Sequence, residues 1–70
     1  MVQNLNPSPR FLAPLVVTDR TSLSRTTLWR MVRAGKFPKP ISISPGRVAW
    51  SEAEVNAWMV ARVSDDRAVA

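Results

Sequence analysis

Residues 24–40 read SRTTLWRMVRAGKFPKP, and the fold turns on them. Ser24 is an N-cap residue, whose hydroxyl accepts from an amide in the first turn of a following helix. Gly35 supplies the left-handed position that ends such a helix. Pro38 and Pro40 keep it from resuming. The spacing predicts a helix over residues 25–34. On a 3.6-residue period Leu28, Met31 and Val32 form one apolar stripe, flanked by Trp29 and Arg25, while Thr26, Arg30 and Arg33 point the opposite way. The stretch carries Arg25, Arg30, Arg33, Lys36 and Lys39 and no acidic residue. Like charges one turn apart destabilise a helix on its own, so this one calls for a polyanion against its outer face.

Outward from this helix the chain supplies its partners. PLVVTDRT, residues 14–21, reads as a short helix with proline in its first turn, where no donor is lost. Its β-branched Val16, Val17 and Thr18 argue against that assignment. Ser22, Leu23 and Ser24 make a tight turn between the two helices. On the other side, PISISPGRVAW reads as a β-hairpin turning at SPG. In it Ile41 and Ile43 alternate with serines, and Val48 and Trp50 alternate with Arg47 and Ala49. SEAE at residues 51–54 is a capping box, with Glu54 reaching back to the Ser51 amide, and opens a last helix expected from residue 52 to about 63. Val55, Trp58, Met59 and the stem of Arg62 share one face of it. Helix, tight turn, basic helix, hairpin, helix is the plan of a winged helix-turn-helix, mainly α with a small β-hairpin as the wing. Residues 10–63 form the DNA-binding domain in this reading. Residues 1–9, rich in Asn, Pro and Ser, read as a flexible N-terminal arm, and residues 64–70 as a flexible tail.

Composition narrows the function classes. With 70 residues the chain makes one small domain. It has 10 Lys plus Arg against 5 Asp plus Glu, a net charge of +5 and a pI near 11.5. That balance points to nucleic acid or an acidic membrane. No cysteine is present, which excludes disulfides and thiolate metal sites, and no histidine, which removes the usual general base and the commonest zinc ligand. Neither a metal site nor a cofactor is expected, and no small-molecule substrate. Catalytic residues: none are expected, because the carboxylates Glu52 and Glu54 sit in the first turn of a helix, where capping and the helix dipole account for them. The longest apolar run, Phe11 to Val17, is broken by Pro14 and falls short of the roughly 18 residues of a membrane span. It also lacks the form of a signal peptide. The expectation is a soluble, cytoplasmic, nucleoid-associated protein.

At this level of detail the sequence resembles the AlpA-like family of small phage and mobile-element regulators, relatives of excisionases and of MerR-type winged helices. The resemblance runs from Arg10 to Arg62. It is carried by LSRTTLWRMVRAGKFPKP, by the RVAW that closes the hairpin, and by SEAEVNAW. Three positions depart from the family pattern: Ser22 stands where the turn often has glycine, Arg20 where a core leucine is common, and Val16 where glutamate is common. These departures leave the bounds of the first helix open. The resemblance implies sequence-specific binding to double-stranded DNA at adjacent sites. It also implies one of two tasks: directing an integrase toward excision as a recombination directionality factor, or regulating transcription of element genes.

Each candidate contact has a plainer reading beside it. Ser24, Arg25, Thr26 and Arg30, at the start and outer face of the basic helix, suit base edges and phosphates, since arginine bidentate to guanine is the commonest specific contact. The plain alternative is a solvated helix face. Arg33 suits a phosphate or the helix dipole equally. Trp29 is either core or a packing surface for the sugar-phosphate strand, its indole N–H donating to phosphate. Lys36 and Lys39 add phosphate attraction, while Phe37 between them is a core plug. Arg47 at the wing tip suits the narrow minor groove, against a role in turn solubility. Trp50, Val55 and Trp58 belong to the core. The opposite face of the last helix, with Ala53, Ala57 and Val60, is apolar as well. That points to a partner, a second protomer along the DNA or an integrase; the plain reading is that alanine favours helix. A basic protein-interaction module is the rival from another class.

Overall fold

The structure is a computed structural model and describes residues 10–69. Its elements are β1 (Phe11–Leu12), α1 (Pro14–Thr21), α2 (Arg25–Arg33), β2 (Ile41–Ser44), β3 (Arg47–Ser51) and α3 (Glu52–Val69). The expected arm over residues 1–9 lies outside the described residues.

α1 has the bounds the sequence predicts. Ala13 stands at its N-cap without a side-chain acceptor, and Pro14 begins the first turn. The Ala13 carbonyl accepts from the amides of Val16 and Val17. The β-branched residues are tolerated for tertiary reasons, because Val17 is fully buried. In addition, the hydroxyls of Thr18 and Thr21 donate back to the carbonyls of Leu15 and Val17 at 2.8 Å. Ser22 ends the helix at φ 64°, ψ 17°, the left-handed region. This is the turn position where glycine would carry no steric penalty.

α2 forms for the reasons its sequence gives. The Ser24 hydroxyl accepts from the Thr27 amide at 3.1 Å. At the other end the Gly35 amide donates to the Val32 carbonyl and the Lys36 amide to that of Met31. These two bonds make a Schellman motif, which needs the positive φ of 75° that Gly35 adopts. Leu28 is fully buried, and Met31 and Val32 pack half-buried beside it.

The sheet corrects the sequence reading in two ways. It has three strands, not two, in the order β1-β3-β2, all antiparallel. β1 carries no local signal: it is two residues long and pairs across the chain, Phe11 with Ser51 and Leu12 with Trp50. The expected alternation in the hairpin also fails. Ile41 pairs with Ala49 and Ser42 with Val48, but Ser44 pairs with Arg47. Ile43 is therefore an extra residue, a β-bulge. Ile41 and Ile43 are both exposed, whereas the adjacent Ala49 and Trp50 are both buried. Consecutive strand residues point to opposite faces. β3 is the central strand, contacted by both α1 and α3, so both its faces are covered there.

α3 brings two further corrections. It does not stop near residue 63 but continues through Val69, so residues 64–69 are helical where a tail was expected. No proline or glycine interrupts it, and Arg62 pairs with Asp65 one turn on. The capping box is only half formed. The Glu54 amide donates to the Ser51 hydroxyl at 3.3 Å, but Glu54 makes no return bond to Ser51, which is a β3 residue paired with Phe11. The first amide of α3, that of Glu52, donates instead to the Arg10 carbonyl at 2.9 Å.

The core consists of Leu12, Val17, Leu28, Phe37, Trp50 and Val55. Leu23, Trp29, Met31, Val32, Trp58 and Met59 pack against it. Fully burying side chains such as Trp50, Leu28, Val17 and Val55 contributes about 1.5–3 kcal/mol each. Phe37 is the core plug expected of it, edge-on to Trp50 at 6.3 Å and to Trp58 at 4.8 Å between ring centroids. Trp50 and Val55 are fully buried as expected, and Trp58 sits half-buried at the core margin with the Arg62 guanidinium 5.7 Å over its ring.

Candidate nucleic-acid interface

The surface built by α2 and the hairpin follows from how the core fixes α2. Because Leu28, Met31 and Val32 are turned inward, the 3.6-residue period leaves Thr26, Arg30 and Arg33 exposed on the far side, while Arg25, flanking the stripe, is exposed at the start of the helix. Ser24 is exposed too, but its hydroxyl is committed to the cap, accepting from the Thr27 amide and bonded to the Thr27 hydroxyl at 3.0 Å. Its contribution is to fix where α2 begins. The first amides of a helix have no carbonyl partner within it and carry the positive end of the helix dipole. Those of Arg25 and Thr26 therefore open the same exposed end.

Lys36 and Lys39 are exposed in the segment joining α2 to β2. That segment is held by backbone, which leaves the lysine side chains out of the structural bonds. The Lys36 carbonyl accepts from Trp58 Nε1 at 2.9 Å, and the Pro38 carbonyl from Trp50 Nε1 at 2.7 Å. Arg47 begins β3 directly after Gly46, whose φ of 77° makes the turn. It is exposed beside Val48, Ile41 and Ile43. The apolar exposure of this wing was missed in the sequence, where the isoleucines read only as alternating with serines. All of β2 is exposed, and the bulge at Ile43 leaves no local sequence signature.

Trp29 sits at the margin of the core. Its ring is half-buried and packs against Trp50, 5.3 Å between centroids with a 55° tilt. Its Nε1 makes no hydrogen bond among the described residues, yet no buried polar atom there lacks a partner. The indole N–H of Trp29 is thus left without a protein acceptor among the described residues, unlike those of Trp50 and Trp58.

Charge is segregated along and across the fold. From Arg20 to Ser51 the chain has no acidic residue. The ion pairs among the described residues join Arg10 and Arg20 to Glu52 and Arg62 to Asp65. All lie on β1, α1 and α3 or directly beside them. Arg25, Arg30, Arg33, Lys36, Lys39 and Arg47 enter none of these pairs. Six cations thus stand on α2, the following segment and the wing outside any ion pair among the described residues, with Glu54 of α3 lining the same groove as Lys39. Among the described residues no cluster of acidic groups is placed to hold a metal ion, and no helix is long and apolar enough to cross a membrane.

Comparison with known proteins agrees with this architecture. The family described as "Prophage CP4-57 regulatory protein (AlpA)" matches residues 10–63. A protein of Enterobacteria phage P4, described as "Uncharacterized protein ORF88", is 40% identical over 55 residues. The match covers 79% of this chain and 62% of that relative, so the chain spans under two thirds of the relative's length. No solved structure matches. The family match begins at Arg10, the residue whose carbonyl caps α3, and ends within α3, so it takes in the helix-turn-helix and the wing. The chain belongs to the AlpA family of phage regulatory proteins.

Proposed function

We propose that the protein binds double-stranded DNA sequence-specifically, with α2 in the major groove and the wing against the adjacent minor groove. The observation that carries this reading is the six unpaired cations on α2, the following segment and the wing, with acidic residues confined to the rest of the fold. Arg25, Thr26 and Arg30 read base edges. The indole N–H of Trp29, together with Arg33, Lys36 and Lys39, contacts phosphates. Arg47 enters the minor groove through shape and charge. Ser24 holds the helix start against the backbone. The protein needs no cofactor, takes no small-molecule substrate and catalyses no reaction. It acts in the cytoplasm on the nucleoid.

Its task is that of an excisionase-like directionality factor or an AlpA-type regulator of a mobile element, acting with an integrase. The family's regulatory description also supports a second reading, a plain transcriptional regulator. Protomers associate along adjacent DNA sites through the far face of α3, where Ala53 and Ala57 are exposed and Val60 is 65% exposed. Footprinting on the DNA flanking the protein's own gene tests the task. Clustered, phased sites at an attachment region are expected for excision. A single site over a promoter would favour plain regulation, and no protection at all would overturn the DNA-binding reading.

A further inference from the structure

Arg20, one of the three departures from the family pattern, does not point into the core. It lies in the last turn of α1 and reaches across to α3. Its Nη1 donates to Glu52 Oε2 at 3.0 Å and its Nη2 to Asn56 Oδ1 at 2.8 Å. One guanidinium thus grips two residues a helical turn apart, and the fixed fork makes the grip directional. Glu52 follows β3 directly, and β3 begins at Arg47. The helix-turn-helix unit is therefore tied to the β3–α3 unit at two places. Beyond α2 the tie is the pair of tryptophan bonds to the Pro38 and Lys36 carbonyls. At the end of α1 it is Arg20. Between them, among the described residues, lies apolar packing, which is non-directional.

We infer that the Arg20–Glu52–Asn56 contact is a positioning latch. It holds α2 at one angle to the wing, so that the protein accepts one spacing between its major-groove and minor-groove contacts. This rests on the DNA-binding reading. Arg20 and Glu52 keep side-chain exposures of 32% and 25%. A pair so placed adds little to stability, and its effect falls on geometry. Arg10 also faces Glu52, at 3.9 Å, but is 71% exposed and makes no hydrogen bond to it.

The test uses a duplex enriched by the full-length protein from a random-sequence pool, and the same duplex with one base pair inserted between the bases protected by α2 and by the wing. The insertion rotates one contact relative to the other by about 34°. For the wild type this should cost about 10–100-fold in affinity, since one set of contacts is lost. The combined variant Arg20→Gln with Glu52→Gln keeps the net charge of +5, so its phosphate attraction is matched to wild type. Its insertion penalty should fall below about 5-fold, while its affinity for the parent duplex falls by a similar factor. Arg20→Lys, which keeps the charge but loses the fork, should behave like the combined variant. Circular dichroism and urea transitions should show all variants folded. An unchanged insertion penalty in the combined variant would overturn the latch. So would a failure of the variants to fold, because the contact would then be a structural prop. Failure of the wild type to enrich any duplex would overturn the DNA-binding reading, and the latch with it.

Discussion

Replacing Trp50 with phenylalanine probes the joint that holds α2 to the wing. Trp50 is fully buried. It packs against Trp29 on α2 at 5.3 Å and against Phe37 at 6.3 Å, and its Nε1 donates to the Pro38 carbonyl at 2.7 Å. Phenylalanine removes about three ring atoms, which at roughly 0.8 kcal/mol per buried carbon is about 2 kcal/mol. It also leaves the Pro38 carbonyl without its donor. That costs about 1 kcal/mol, at the low end because the site is only part-buried. The total is about 3 kcal/mol. With a urea slope near 1 kcal/mol/M for so small a domain, the midpoint should fall by about 3 M. The matched control is Trp58→Phe. Trp58 is half-buried and its bond to the Lys36 carbonyl is exposed, so its loss should cost about 1 kcal/mol. Unfolding followed by far-UV circular dichroism measures both without relying on tryptophan emission. If Trp50→Phe costs no more than Trp58→Phe, Trp50 is not the central joint of this fold.

Two other substitutions follow from named geometry. Ser22→Gly should stabilise the domain by about 0.5–1 kcal/mol in a thermal or urea melt. Relieving the left-handed strain at φ 64° returns about 1–2 kcal/mol, and the added freedom of glycine in the unfolded chain takes back about 0.4–1; a destabilised variant would contradict the turn geometry. Arg30→Ala should weaken binding to an enriched duplex by about 1–3 kcal/mol and to a scrambled duplex far less, whereas Arg47→Ala should weaken both evenly and reduce the salt slope by about one. Paired titrations of the two duplexes that reversed this pattern would make the wing the reader and α2 a backbone contact.

Much of the helical part of the fold was legible because its signals are local. Ser24, Gly35 and the Leu28, Met31, Val32 stripe fix α2 within eleven or so residues of chain, and Pro14 marks the start of α1. The cations were legible for the same reason, since a helix whose core stripe is known leaves the outer face for Arg30 and Arg33 and the flank of the stripe for Arg25. What stayed hidden depends on partners distant in sequence. β1 exists only because Leu12 meets Trp50. Its arrival also leaves the capping box half formed, since Ser51 is drawn into the sheet, and the next amide, that of Glu52, donates to the Arg10 carbonyl. The bulge at Ile43 could not be read from ISIS, which alternates perfectly. The extension of α3 to Val69 went unread because Ser64, Asp65 and Asp66 are weak helix formers, and the pairing of Arg62 with Asp65 acts against that weakness. Arg20 was legible as an oddity but not as a contact, because its partners lie 32 and 36 residues away.

The central claim is that the cationic surface of α2 and the wing exists to meet phosphates. The most direct measurement is the affinity for a duplex as a function of monovalent salt. If Arg25, Arg30, Arg33, Lys36, Lys39 and Arg47 each displace about one counterion, the slope of log affinity against log salt should be near −5. Between about 50 and 200 mM salt the affinity should then fall by roughly 1,000-fold. A slope near zero over that range would mean that these side chains do not contact the DNA backbone, and would contradict the account.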